Sequence, residues 1–179
     1  MAKVIANSCE KQRPINCRKI SNIAKIRKVL YVNQQPIGKT PRSTVISYLG
    51  IYDNIRQLFA NTEDAKKTGL SSSDFSMNIS GGRCESCQGT GKKKTYLPDS
   101  YIKCPECHGR RFHDDVLEIK YKGNNINDVL DKPIGEVKDL FNDVESIRSV
   151  LQCMEDIGLE YISLGQMSMN LSGGEAQRI

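Results

Sequence analysis

An α+β fold is what this sequence predicts: a body of short helices interrupted by a small cysteine-bearing hairpin. Three observations lead there. Apolar residues recur at helical spacing on both sides of the middle of the chain. The middle itself, residues 71–113, is rich in Ser, Gly, Cys, Lys and Arg and poor in aliphatics. Within it, Cys84, Cys87, Cys104 and Cys107 form two C-x2-C pairs.

From the N-terminus, residues 1–19 are polar and without period, which predicts an irregular segment. Ile20, Ile23, Ala24 and Arg27 suit a short helix, and Val29 to Val32 read as a buried strand. Residues 33–44 carry two prolines and a glycine and read as a loop. A helix over about 46–60 is predicted from Leu49, Tyr52, Ile55, Leu58 and Phe59 on one face. The 71–113 stretch lacks the apolar surface to order itself, so something else must hold it. Residues 115–121 read as a strand returning to the body, followed by short helices near 126–131 and 134–141. A longer helix over about 144–156 follows from Val144, Ile147, Val150, Leu151 and Met154. Beyond Gly158 a mixed segment leads to Gly165 and the closing string LSGGEAQR.

At 179 residues with 38% hydrophobic content, the chain has room for a modest core. No apolar run approaches the roughly 20 residues of a membrane span, and the N-terminus lacks the pattern of a secretory signal. The seven cysteines are an odd number. Four of them fall into tight pairs, so metal binding in the cytoplasm is favoured over a secreted disulfide scaffold. The net charge of +5 is compatible with a polyanionic partner without demanding one.

The spacing C-x2-C-x16-C-x2-C is that of a structural Zn²⁺ site, which takes four thiolates in a tetrahedron. Glycines follow each pair, at Gly89 and Gly109, where backbone must turn its amides toward sulfur. The intervening residues 92–103 are long enough for a hairpin, with Pro98-Asp99 as its turn. Four cysteines close the site, so His108 and His113 are surplus as ligands. Cys9, Cys17 and Cys153 lack pair spacing and read as free thiols. Residues 83–111 hold seven basic residues (Arg83, Lys92, Lys93, Lys94, Lys103, Arg110 and Arg111) against three acids. Two readings are open: a solvated face on a zinc staple, or a basic finger that lies along phosphates. Tyr96 and Tyr101 could stack on bases or pack within the hairpin.

Leu171, Ser172, Gly173, Gly174, Glu175 and Gln177 belong to a string that resembles the signature of ABC-type ATPases, which closes over ATP held by another nucleotide-binding domain. Ser172 is also a plausible N-cap. A P-loop is missing: Gly38-Lys39-Thr40 would need its first glycine at Asn33, and Pro41 follows where a helix should begin. No aliphatic run ends in an acid pair. ATP and Mg²⁺ are therefore expected only with parts supplied from elsewhere, and the chain alone is not expected to hydrolyse ATP. It is expected to be a piece of a longer protein.

The stretch from Tyr31 through Asn33, Gln34, Gly38 and Pro41 to Ser43, then Arg83-Cys84-Glu85-Ser86-Cys87, Leu97-Pro98-Asp99, Cys104-Pro105-Glu106-Cys107 and LSGGEAQR, resembles the C-terminal half of the UvrA family. UvrA is the damage-sensing ATPase subunit of the bacterial excinuclease. The resemblance implies a partial ABC-type ATPase domain with an inserted zinc hairpin: residues 1–19 irregular, 20–80 the ATPase part, 81–113 the zinc module and 114–179 the signature subdomain. It implies Gln34 as the Q-loop glutamine, and DNA, UvrB and a second UvrA protomer as partners. The span between the cysteine pairs is shorter than the family's usual one, which leaves room for a UvrA-like paralogue such as those linked to drug resistance. A DnaJ-like zinc module for protein interaction is a rival class. It matches only the first knuckle fully and leaves LSGGEAQR unexplained, as zinc insertion leaves an ABC transporter domain unexplained.

Overall fold

A computed structural model describes residues 14–19, 21, 25, 38, 40, 42–97 and 100–179. The chain divides into two compact units, Met1–Gln34 and Gln35–Ile179. In the first, residues 15–18 form bends. The helix predicted from Ile20, the strand predicted at Val29 to Val32, Gln34 and the Pro98-Asp99 turn lie outside the described residues. Every helix and strand labelled α or β belongs to the second unit.

The helix predicted over 46–60 is two helices, α1 (Val45–Leu49) and α2 (Tyr52–Ala60). Gly50 adopts a left-handed conformation at φ 71°, which ends α1 and turns the chain before the buried Ile51. On α2 the buried residues are Tyr52, Ile55 and Phe59, so the predicted apolar face survives the break. A helix without a counterpart in the sequence reading comes next, α3 (Glu63–Thr68), capped by the Thr62 side chain accepting from the Ala65 N–H at 3.3 Å.

The polar stretch 71–113 is tied to this body by apolar side chains as well as by its cysteines. Phe75, Met77 and Phe112 are buried, and Phe75 lies 5.5 Å from Phe59, ring centre to ring centre. The aromatic series continues to Tyr121 at 5.9 Å and on to Phe141 at 6.0 Å. Two short antiparallel strands, β1 (Lys92–Lys94) and β2 (Tyr101–Lys103), make the hairpin.

The strand predicted at 115–121 is instead mostly a helix, α4 (Asp114–Glu118). His113 enters in an extended conformation, and Asp114 and Asp115 stand in the first turn, where the helix dipole favours carboxylates. Extended backbone resumes at Ile119, and Tyr121 makes an isolated bridge to Asn124. Next come α5 (Ile126–Asp131), opened by a reciprocal Asn125–Asp128 capping box, and α6 (Ile134–Val137), which tightens into a 3₁₀ turn over Lys138–Phe141. The long helix α7 (Glu145–Asp156) buries Ile147, Leu151 and Met154, spaced by four and three residues.

The segment after α7 threads back between the earlier elements. Leu164 O accepts from the Ile46 N–H at 2.8 Å, the Gly165 N–H donates to Leu130 O at 2.7 Å, and Met167 bridges to Thr44. A 3₁₀ turn, Ser168–Asn170, leads to the last helix, α8 (Gly173–Arg178). Tucked under α1 and α5, this segment fixes where the LSGGEAQR string emerges.

Candidate metal centre and signature segment

Each C-x2-C pair closes a knuckle of the same shape. The residue after the second cysteine has positive φ (Gln88 53°, His108 51°), and a glycine with positive φ follows (Gly89 78°, Gly109 90°). The knuckles are joined at the hairpin foot, where the Cys104 N–H donates to Gly91 O at 2.9 Å. The module is closed below by a bridge between Arg83 and Phe112 and by the Cys84 N–H donating to Arg111 O at 2.8 Å.

All four cysteines are buried, and their sulfurs lie within 4.8 Å of one another. The pairs Cys87–Cys107 and Cys84–Cys104 stand 3.7 and 4.0 Å apart. A tetrahedron with Zn–S bonds of about 2.3 Å has edges of about 3.8 Å, whereas a disulfide needs about 2.05 Å. The donor set and its spacing therefore fit a tetrahedral thiolate-bound metal and exclude disulfides. Burial acts on the thiols of Cys87, Cys104 and Cys107. At Cys104 the N–H groups of Cys107 and Glu106 overcome it and bring the thiol down to about 6. Burial pushes Cys87 up to about 12 against the Gly91 N–H, and pushes Cys107 up against the N–H groups of Arg111 and Gly109. A cation in this pocket would offset the charge of the four thiolates it creates. Among the described residues this is the one group of three or more metal-ligating side chains, and the exposed His108 and His113 are outside it.

The seven basic residues fall into two kinds. Arg83 is buried and committed: Nε and Nη2 donate to Glu85 at 3.1 Å each, and Nη1 donates to Asn78 O at 2.9 Å. Those bonds hold the Glu85 carboxyl below its ordinary value. Arg110 pairs with Asp114 at 2.9 Å, and Arg111 pairs with Asp131 at 2.6 Å. The lysines are different. Lys92, Lys94 and Lys103 are exposed and Lys93 is half-buried, and none has a carboxylate partner among the described residues. Lys92 stands directly across from Lys103, and Lys94 follows on the same face opposite Tyr101. Beyond them Tyr96 and Leu97 project fully or largely into solvent.

In the LSGGEAQR string, Leu171 packs half-buried on the core, while Ser172, Gly173, Gly174 and Gln177 are exposed. Ser172 caps α8, accepting from the Glu175 N–H at 3.3 Å, and Glu175 Oε2 accepts from the Ser172 N–H at 2.6 Å. The other carboxylate oxygen accepts from the Tyr161 hydroxyl at 2.6 Å. Tyr161 and Ser172 together hold the Glu175 carboxyl below its ordinary value. Because Ser172 Oγ is an acceptor toward the helix, its own proton is directed elsewhere. Sequence reasoning missed Tyr161, which sits 14 residues from Glu175 with no local pattern to betray it.

Fold and site define the class: an α+β helical body carrying a four-cysteine, metal-fitting hairpin. No protein-family profile matches the chain. It is 46% identical over 172 residues to the UvrABC system protein A of Oceanobacillus iheyensis, and 46% identical over 182 residues to that of Micrococcus luteus. These alignments take in 94% and 99% of the chain but 18% of each relative. Among solved structures, UvrA2 from Deinococcus radiodurans superposes with a TM-score of 0.83 at 46% identity, over 88% of this chain and 20% of that one. The chain belongs to the UvrA family and spans about a fifth of the length of these relatives. Among the described residues no helix is long and apolar enough to cross a membrane.

Proposed function

We propose that this chain supplies two functions of a nucleotide-excision-repair ATPase subunit: a zinc-supported contact to DNA and the signature half of an ATP site. The observation that carries the DNA role is the hairpin face. Like charges set directly across a strand pair destabilise it, yet Lys92 and Lys103 are paired there with Lys94 beside them and no neutralising acid among the described residues. A phosphate backbone relieves that repulsion, and counterion release rewards it. Arg83, Arg110 and Arg111 are bound to carboxylates and act as braces, leaving Lys92, Lys94 and Lys103 as the phosphate-facing set, with Lys93 on the opposite face. Cys84, Cys87, Cys104 and Cys107 would hold Zn²⁺, which supplies a rigid cross-link and no redox chemistry.

At the signature, the Ser172 hydroxyl and the amides of Gly173 and Gly174 would meet the terminal phosphate of ATP bound by a second protomer, and Gln34 would act separately, as a Q-loop glutamine toward Mg²⁺. UvrB and a second UvrA protomer are the protein partners of this reading, and the cytoplasm its setting. A second reading, a UvrA-like paralogue, is favoured by the short lysine-rich hairpin and the UvrA2 likeness. A chain that binds DNA but not UvrB would select it.

The test couples metal and DNA. Metal analysis should find one zinc per chain, lost in Cys84→Ala. Replacing Lys92, Lys94 and Lys103 with Gln should lower the salt slope of duplex binding by about 2 to 3, near 0.9 for each phosphate contact. An unchanged slope would rule out the hairpin face as the DNA contact.

A further inference from the structure

Arg111 sits at the exit of the cysteine module with φ 68°, a conformation that non-glycine residues keep only where neighbours impose it. Its backbone is tied to two of the four cysteines. Its carbonyl accepts from the Cys84 N–H at 2.8 Å, and the N–H of Arg110 just before it donates to Cys107 O at 2.8 Å. Its side chain leaves the module altogether. Nη1 donates to Asn127 Oδ1 at 2.8 Å and to Asp131 Oδ1 at 2.6 Å, both on α5. Asn127 closes the triangle by donating to Asp131 Oδ2 at 2.9 Å. The guanidinium arm is only 12% exposed while Asp131 is 50% exposed, so the network is sheltered at the arginine and wetted at the carboxylate.

The same turn of α5 grips the segment that leads to the signature. Leu130 O accepts from the Gly165 N–H at 2.7 Å. A methyl group at Gly165 would lie 2.9 Å from Leu130 O and 3.2 Å from Arg111 Nη2, so arginine, helix and loop meet at one point. Beside it lies a cavity of about 340 Å³, lined among others by Arg42, Lys92, Arg111, Asp131, Gly165 and Met167. The loop therefore has room to shift when its restraint is released.

We propose that Arg111 is a positioning residue that carries the state of the four-cysteine site, through α5, to the 163–170 loop that delivers the signature segment. The inference rests on the cysteines being a metal site. With the sulfurs drawn together by a metal, the backbone at 111 is fixed and the guanidinium meets both α5 side chains. Without it, the Cys84 and Cys107 tethers slacken, the triangle opens, and the Leu130–Gly165 bond loses its backing. Two sites are thus coupled by a chain of discrete hydrogen bonds.

Hydrogen exchange on the intact chain, zinc-loaded and chelated, tests this in the wild type, Arg111→Ala and Arg111→Lys. In the wild type, chelation should speed exchange of the Gly165 amide by about tenfold or more. In Arg111→Ala that amide should exchange fast in both states, with a loaded-to-chelated ratio near one, while Leu151 on α7 keeps its protection. Arg111→Lys keeps the charge without the fork and should restore part of the ratio; it decides the matter if Arg111→Ala does not fold. The proposal is overturned if Arg111→Ala keeps the wild-type ratio. Loss of Leu151 protection in both variants would also overturn it, since the role is then general stability. So would a wild type that binds zinc yet shows no response at Gly165. If metal analysis finds no zinc in the wild type, the metal reading falls first and the coupling with it.

Discussion

Gly89 and Gly109 hold corresponding places in the two knuckles, but they are not equivalent. A Cβ on Gly89 would sit 2.1 Å from Met77 O, whereas on Gly109 its nearest neighbour would be 3.8 Å away. Both have positive φ, so alanine at either meets the left-handed penalty of about 1–2 kcal/mol. Gly89→Ala must also push back the Met77 backbone, adding about 1–3 kcal/mol. Denaturation of the zinc-loaded chain should therefore show Gly89→Ala clearly less stable than Gly109→Ala, and equal midpoints would contradict the geometry. At this scale the gathering of Cys84, Cys87, Cys104 and Cys107 was legible, because C-x2-C spacing is a local pattern. The duties of the arginines were not. Arg83 answers Glu85 two residues on, and Arg111 answers Asp131 twenty residues on, a pairing that the fold alone creates. Counting charges along 83–111 could not separate braces from free lysines.

Among the elements, α8 is one whose stability should respond to mild acid. Tyr161, the first cause, and Ser172 hold the Glu175 carboxyl below its ordinary value. A lowered carboxyl lends stability that is full above its unfolded value of about 4.3 and is lost as pH falls through the lower folded value. The Ser172 amide should accordingly lose exchange protection only below that unfolded value. In Tyr161→Phe, which removes one hydrogen bond from the carboxylate, the loss should set in at higher pH. An identical titration in both proteins would mean the hydroxyl contributes nothing. The helices near 126–131, 134–141 and 144–156 were legible because Ile126, Val129 and Leu130, or Ile147, Leu151 and Met154, follow the helical period. Gly50 splits α1 from α2 through a conformation that periodicity does not register. The helix α3 carries its signal in Thr62 and Gly69 at its ends rather than in an apolar stripe. At 115–121 the buried Val116, Leu117 and Ile119 mimic a strand, and the helix signal rests on the two aspartates that start α4.

For the whole molecule, the body need not depend on its four-cysteine site. Composition alone makes the 71–113 stretch hang on its cysteines, but Phe75, Met77 and Phe112 root it in the same core that holds Phe59, Phe141 and Leu151. Chelation should therefore free amides across 84–107 while far-ultraviolet circular dichroism retains most of its helical signal. Complete cooperative unfolding on adding chelator would show instead that the core cannot stand by itself.

The Arg83–Phe112 bridge and the Cys104–Gly91 bond seal the module below its arm, and Tyr96 and Leu97 at the far end are exposed. Lengthening or shortening the tip then leaves the sulfur geometry alone, which gives evolution a dial for reach and chemistry independent of the fold. The same insulation makes the exposed Tyr96–Leu97 end a natural place to splice in a reporter peptide or fluorescent label without disturbing what lies beneath.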